Sequence, residues 1–485
     1  MGVRAGRADG CDYGRAKAVS GAQAKFLTGN LTGHIITMSL TSAVGFLALF
    51  VVDLADMLFI SMLGIDELAA AVGFAGTILF MTTSISIGMA IAGGAMVAKS
   101  LGENQPERAT ELLTHVMIVG VAFAVVFAST IYVNLEQLTA LIGAKGQTQE
   151  LAIAYLKILI PTMPVLLIGI VASAALRSHG AARLAMMVTI VAGVVNAILD
   201  PIFIFVLDMG LEGAAWASVI SRFAVAATAL WYIIRRYGGF TGLSFGAIGR
   251  DLAPIAAIAV PAMLANVAAP IGGAYVTRAV AEFGEAAVAG MAIIGRVTPI
   301  AFALIFAMSG SIGPIIGQNF GAGKHDRVRG AFNSSMVLIV VYVIPVVIVL
   351  HFLRAPIADM FKAQGVARDL IFLFCGPLSL AWIFNGVIFI GNAAYNNLGH
   401  PFYSTWVNWG RNTLGIVPFV YFGAQIWGAE GVLIGQMAGG IFAAIISFIM
   451  AQRLMRKAEA NQIVNPKKPA FAAHQRAFNI LHHRR

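Results

Sequence analysis

Two aspartates three positions apart, Asp53 and Asp56, lie inside the apolar stretch LFVVDLADMLFISMLG (49–64), and a third, Asp200, closes NAILD (196–200) four positions after Asn196. An ionised side chain at mid-bilayer costs about 2.5–3.5 kcal/mol on insertion scales, so three such acids add up to about 8–10 kcal/mol. That approaches the whole net stability of an ordinary domain. Residues kept at that cost need water, a partner or a proton, and a membrane protein that holds them in its interior is as a rule moving something past them. On α-helices the spacings three and four put Asp53 with Asp56, and Asn196 with Asp200, on shared faces. Carboxylate and amide oxygens suit a hard cation. Crowded in a poorly solvated pocket, two of these carboxyls would instead share one proton and act as a proton carrier.

The elements that must position these groups are membrane helices. The chain of 485 residues has a mean hydropathy of +0.85, with 59% hydrophobic and only 11% charged residues, against about 25% charged in soluble proteins. Apolar runs of bilayer-crossing length, about 20 residues, predict twelve transmembrane helices and an all-α integral membrane protein. The expected spans are 34–62, 68–97, 112–133, 151–175, 184–207, 212–234, 253–280, 287–316, 332–352, 370–395, 402–424 and 431–452. The first run is longer than a signal-peptide core and lacks a small-residue cleavage site after it, so it is expected to stay in the protein. Cys11 lies in a polar arm and Cys375 inside a span, so no disulfide or redox role follows.

A formal net charge of +10 invites a nucleic-acid reading, but its distribution reads as topology. With the N-terminus cytoplasmic, the inner loops hold Lys99, Arg108, Arg177, Arg183, Arg235, Arg236, Arg250, Lys324, Arg327 and Arg329; the outer loops hold only Lys145, Arg354, Lys362 and Arg368. Both termini are therefore expected inside, in a cell inner membrane. A nucleic-acid module would need a folded basic domain, and neither basic tail is long enough.

An internal repeat organises the chain. AMVAKSLGENQPERA (95–109) aligns with PIIGQNFGAGKHDRV (314–328), so that Gly102 meets Gly321 at an offset of 219. LRSHG (176–180) meets NLG (397–399) at the same offset, and GLEG (210–213) meets GAEG (428–431) at 218. Two halves of six helices each enter the bilayer in the same direction, a parallel repeat about an axis along the membrane normal, with the substrate path between them. The expected division is a disordered cytoplasmic arm over 1–33, an amino-terminal six-helix lobe over 34–236, a cytoplasmic linker over 237–252, a carboxy-terminal six-helix lobe over 253–452 and a basic cytoplasmic tail over 453–485. GQNFGAGKH imitates a phosphate-binding loop, but its glycines are one residue too far apart and His325 stands where Ser or Thr would hold Mg²⁺. It reads as a tight turn between helices.

DMLFISMLG (56–64), GQNFGAGKHDRVRGA (317–331) and NAILDPIFIFVLDMGLEGAAWASVISR (196–222) resemble signature stretches of the multidrug and toxic compound extrusion (MATE) family, and the resemblance extends over residues 34–452. It implies a two-lobed carrier of twelve helices that exports organic, often cationic compounds in exchange for Na⁺ or H⁺. Carried over by position, the family's acid on the first helix is similar in placement to Asp56, its Asn and Asp on the fifth helix to Asn196 and Asp200, and its sixth-helix hydroxyl to Ser218. The resemblance makes these four the coupling-cation site, for H⁺ or for Na⁺; Asp53, on the same helix face as Asp56, is added as a candidate member by its spacing alone, with satisfaction by a neighbouring Ser, Thr or Asn as its alternative. Some relatives carry an essential acid on the seventh helix; Ala253 to Val280 has none, which moves the coupling to the amino-terminal lobe.

Pro201 is expected to bend the fifth helix at this site and turn carbonyls toward a cavity. Arg222, one turn beyond Ser218, is expensive at mid-depth without a partner and is expected to reach Asp53 or Asp200; a cation so close to the acids would compete with Na⁺ and favours H⁺. In the second half, Asn385, Asn392, Tyr395 and Arg296 are candidates for a substrate cavity, with inter-helix hydrogen bonding as their alternative role. His34, His115 and His400 read as isolated, with no metal-ligand set. The expectation is a secondary multidrug efflux antiporter, not an enzyme, working without a cofactor as a monomer in the lipid bilayer on small organic substrates. The alternatives are a lipid-linked oligosaccharide flippase of the same superfamily, which would call for a strongly cationic cavity, and a membrane-embedded enzyme, for which no cluster of catalytic His, Asp or Cys appears.

Overall fold

The computed structural model describes residues 23–63 and 66–464. Most of the expected arm (1–22) and tail (465–485), Cys11 among them, lie outside the described residues. All the regular structure is helical among the described residues, because runs of apolar side chains leave the backbone no hydrogen-bond partner but itself. Helices α1 (Leu31–Ser61), α2 (Asp66–Gly102) and α3 (Pro106–Val133) are single rods. Helix α4 (Gly146–Ser178) is interrupted by a 3-10 turn at Ile160–Thr162, and α5 (Ala182–Val206) loosens into a π turn at Ile202–Val206 directly after Pro201. Helix α6 (Gly210–Tyr237) completes the first half.

The second half repeats the plan. Helix α7 spans Phe245–Ala281; α8 is a pair, Glu285–Ala301 and Ala303–Gly321, bent by 51° at Phe302; α9 spans His325–Met360. Helix α10 is built from Val366–Cys375, a 3-10 turn at Pro377–Ala381 and Trp382–Asn397. By length and apolarity the described residues hold ten crossing helices, or eleven counting the bent pair, and Phe402–Ala460 is itself two crossings, which makes twelve. Its halves, α11 (402–426) and α12 (429–464), part where Trp427 and Gly428 leave the helix, Gly428 at φ 59°, a left-handed turn that only glycine takes without strain.

Left-handed residues mark the repeat in three dimensions. Asn104 and Gly323, Gly143 and Lys362, Gly146 and Gly365, and Gly180 and Gly399 all have positive φ and stand 219 apart; Gly210 and Gly428 stand 218 apart. The two halves thus turn at equivalent residues. They also meet through equivalent residues: Gly102 lies against the Gln318 backbone and Gly321 against the Lys99 backbone, and 318 − 99 is again 219. A pseudo-two-fold axis therefore passes between the ends of α2 and α8.

At that same end the chain segment ahead of α1 is ordered over residues 23–30, against the expectation of disorder up to residue 33. Phe26 is buried, its N–H donates to Gln318 Oε1 (3.0 Å), and its carbonyl accepts from Asn319 Nδ2 (3.2 Å) and Arg327 (2.9 Å). Gln318 Nε2 in turn donates to the Ser178 carbonyl (2.8 Å), so one amide ties the strap to both lobes. The fixed backbone hydrogen bonds and the buried ring outweigh the freedom that a Gly- and Ala-rich segment would otherwise keep. Helix α12 likewise runs on through 453–464, where Glu459 pairs with Arg329 of α9.

The lobes touch unequally along their length. The Ala303–Gly321 part of α8 packs broadly on α1 and α2, whereas the Glu285–Ala301 part packs chiefly on α10 and meets the first lobe mainly at α1. Large apolar side chains such as Val126, Trp231, Phe352 and Trp406 stand exposed around the bundle, as lipid-facing residues do.

Candidate functional site

Helices α1 and α5 approach through glycine. Gly45 sits against Met186 and Thr189, and Gly193 against Val52, 3.4 Å from where a Cβ would stand. The helices run parallel, so Asp56, one turn beyond Val52, comes near Asp200, two turns beyond Gly193, and further on Phe59 meets Phe205 edge-on at 6.1 Å. The Asp56 and Asp200 carboxyls come within hydrogen-bonding reach of each other. Asp200 is 1% exposed and Asn196 8%, one turn apart on one face of α5. Asp56 Oδ1, Asn196 Nδ2 and Asp200 Oδ2 are buried with no hydrogen-bond partner. Three orphaned polar atoms in one pocket are a standing cost that a proton, a cation or water removes.

A residue that sequence reasoning passed over completes the pocket. Tyr155 of α4, 8% exposed, lies within hydrogen-bonding reach of Ser218 and within the field of Asp56, Asp200 and Arg222. Its only signal in the sequence was a phenol on the polar side of an otherwise apolar span, which an interfacial tyrosine would show equally. Ser218 is half-buried and comes to the site from α6. Asp53 is exposed, and the charge that acts on it is that of Asp56 rather than a cation.

Arg222 does not reach Asp53 or Asp200. It donates to the Leu159 carbonyl oxygen and to Thr162 Oγ1, each at 2.8 Å. The cause lies in α4: the 3-10 turn at Pro161 hands the Met163 N–H to Ile160, and Leu159 O loses its helical donor. A guanidinium fills that gap better than it would pair across the pocket. Held there, Arg222 gives no reason for the acids to disfavour Na⁺.

Of the second-half candidates, Tyr395 is 0% exposed and donates to the Ser447 carbonyl at 2.6 Å, so it braces α10 against α12 and lines no cavity. Asn385 and Asn392 keep buried Oδ1 atoms without donors, and Arg296 is exposed on α8.

His115 is not isolated. Its Nδ1 lies 2.7 Å from Asp251 Oδ2, while Arg108 donates to both Asp251 oxygens at 2.5 and 2.8 Å. Asp251 belongs inside α7 rather than in the loop before it, and it is 1% exposed because these partners from α3 replace water. Glu111, His115 and Asp251 lie close enough to hold a metal ion. Arg108 and Arg250 already saturate both carboxylates, so the cluster reads as an ion-pair clasp between α3 and α7.

The MatE family model matches residues 18–202 and 261–421. Among curated proteins, the FAD transporter of Shewanella oneidensis is 26% identical over 432 residues, which is 88% of this chain and 95% of the relative. Multidrug export protein MepA of Staphylococcus aureus is 21% identical over 425 residues, 86% of this chain and 93% of the relative. The crystal structure of the Vibrio cholerae MATE transporter VcmN superposes with a TM-score of 0.84 at 25% identity, covering 88% of this chain and 97% of that one.

Proposed function

The chain belongs to the MatE family of membrane transporters, and from that premise we propose that it is a secondary efflux carrier exchanging organic compounds for H⁺ by alternating access. The observation that carries the reading is the facing pair Asp56 and Asp200, with the orphaned oxygens and the Asn196 amide around it. Two carboxyls so close cannot both stay ionised in a poorly solvated pocket, so they hold one proton between them, and losing or gaining it changes the charge that α1 presents to α5. Tyr155 and Ser218 offer hydroxyls that follow that proton. With Na⁺ in place of H⁺, Asp56, Asn196, Asp200 and Ser218 would supply its oxygens.

In this reading the end that carries Gly102, Gly321 and the Phe26 strap is cytoplasmic and closed, and the weak contact of Glu285–Ala301 with the first lobe marks the outward opening. Protonation from outside lets α1 repack, the lobes rock, and cargo leaves outward. The named relatives differ in cargo, FAD for one and multiple drugs for the other, which supports organic compounds as the cargo class. Efflux from proteoliposomes under a pH gradient alone and under a Na⁺ gradient alone tests the coupling. Transport with the pH gradient and none with Na⁺ is expected; the reverse assigns the site to Na⁺.

A further inference from the structure

The interior of the second lobe holds a guanidinium that nothing there neutralises. Arg411 opens the π turn Arg411–Gly415 of α11; its Nε is buried without an acceptor, it makes no ion pair or hydrogen bond among the described residues, and no acidic group acts on it. Every acid after Asp251, namely Glu282, Glu285, Asp326, Asp359, Asp369, Glu430 and Glu459, lies near a helix end. A buried lone cation is a liability unless water or a ligand reaches it.

Other unpartnered polar groups lie within about two turns of that level along α10 and α12. Arg411 Nε lies 4.0 Å from where a side chain on Gly440 of α12 would begin, and one turn away on that face Gln436 has a buried Oε1 with no donor. Helices α10 and α12 run parallel and meet where Ser447 accepts from Tyr395. Two turns back along both, Gly440 is level with residues 384–388, where Asn385 Oδ1 is buried and unpaired. Three residues earlier Trp382 has a buried Nε1–H with no acceptor; its ring stacks on Phe302 at 4.8 Å and 9° and lies 5.6 Å from Phe306. Phe306 in turn meets Phe50 of α1 at 5.8 Å, one turn before Asp53.

The repeat shows that this is a change of sign rather than a lapse in packing. At the offset of 218, Ser218 corresponds to Gln436 and Arg222 to Gly440. In the first lobe α6 brings the arginine and it caps a backbone carbonyl, leaving the pocket to acids. In the second lobe α12 has glycine there, and α11 fills the space with Arg411 while the pocket has no acid.

We propose that this chamber binds the oxyanion of a planar aromatic substrate, Arg411 and the Trp382 N–H holding the oxygens and Phe302, Phe306 and Trp382 flanking the rings. It names a cargo class for the transport reading and rests on that reading only in taking the occupant as cargo. A charged partner removed from a buried hydrogen-bonded pair weakens binding by at least about tenfold, whereas a cation without that contact is indifferent. The test is fluorescence anisotropy on the full chain purified in detergent, with fluorescein and rhodamine 123 as anionic and cationic probes of one ring system. Fluorescein affinity should fall at least about tenfold in Arg411→Gln and stay within about threefold in Arg411→Lys, with rhodamine 123 unmoved in both. Inorganic phosphate should compete only weakly, since it lacks the rings. Equal fluorescein affinity in wild type and Arg411→Gln, or no fluorescein binding at all, overturns the site. Phosphate competing as tightly as fluorescein binds overturns the aromatic cargo in favour of a free anion. Binding is read without any gradient, so a failure of proton coupling would leave this result standing.

Discussion

Asp56 and Asp200 are held face to face by the backbone, because Gly45 and Gly193 let α1 and α5 close up around them. On the proposed reading the orphaned polar atoms around the pair are a standing cost, so replacing either acid should relieve it rather than unfold the lobe. Asp56→Asn and Asp200→Asn should each abolish gradient-driven efflux while the purified protein stays monodisperse with a melting temperature no lower than wild type; full transport in both would remove the mechanism. Tyr155 and Ser218 lie within hydrogen-bonding reach of each other, and losing one hydrogen bond there is worth about 1 kcal/mol, so Tyr155→Phe and Ser218→Ala should each slow efflux about fivefold. The double variant should be no slower than either, and additive losses would show that the two hydroxyls act apart. The acids were legible in the sequence because charge inside an apolar run stands out at any register. Tyr155 was not, since its meaning comes only from which helix it faces, and α4 meets α6 through contacts that no local pattern encodes.

Breaks in the helices decide where the polar groups point. Pro201 withholds a donor from the turn before it, yet α5 stays helical through Pro201 and loosens only after it, at Ile202–Val206. The break in α4 was written in Pro161, but its consequence was not: the freed Leu159 carbonyl captures Arg222 from a helix sixty residues away. The bend of α8 follows Pro299, which withholds a donor from the turn before Phe302, and the ring stack on Trp382 then fixes its direction. Such captures depend on tertiary neighbours, so the sequence supplied the cause of each break and not its partner. If Arg222 serves α4 rather than the acids, Arg222→Met should lower the melting temperature by an amount matching about 1.5–3 kcal/mol for a charged hydrogen bond. The ion dependence of residual transport should not change. A switch in coupling ion with unchanged stability would return Arg222 to the acid pair.

At the scale of the molecule, the repeat legible as an offset of 219 becomes a crossing of helix ends, Gly102 on Gln318 and Gly321 on Lys99. The sequence displayed the glycines as turn residues; that they are also the points where the lobes close follows from the axis, which only the assembled halves define. The strap at Phe26 was hidden for the same reason, its partners being Gln318, Asn319 and Arg327. A side chain at either glycine would meet backbone atoms, which cannot swing aside, so the lobes must part at this end. Overpacking of this kind costs about 1–3 kcal/mol, enough to move a two-state ratio about five- to hundredfold. Gly102→Leu and Gly321→Leu should therefore both favour the state open at this end, and by similar amounts because the two positions are images of each other. Spin labels at Asn104→Cys and Asp326→Cys, one on each lobe, in a background without Cys11 and Cys375, would report it as a longer distance in both variants. If only one variant lengthened the distance, the two ends would not close as a symmetric pair, and the rocking of two equivalent lobes would give way to movement of a single helix.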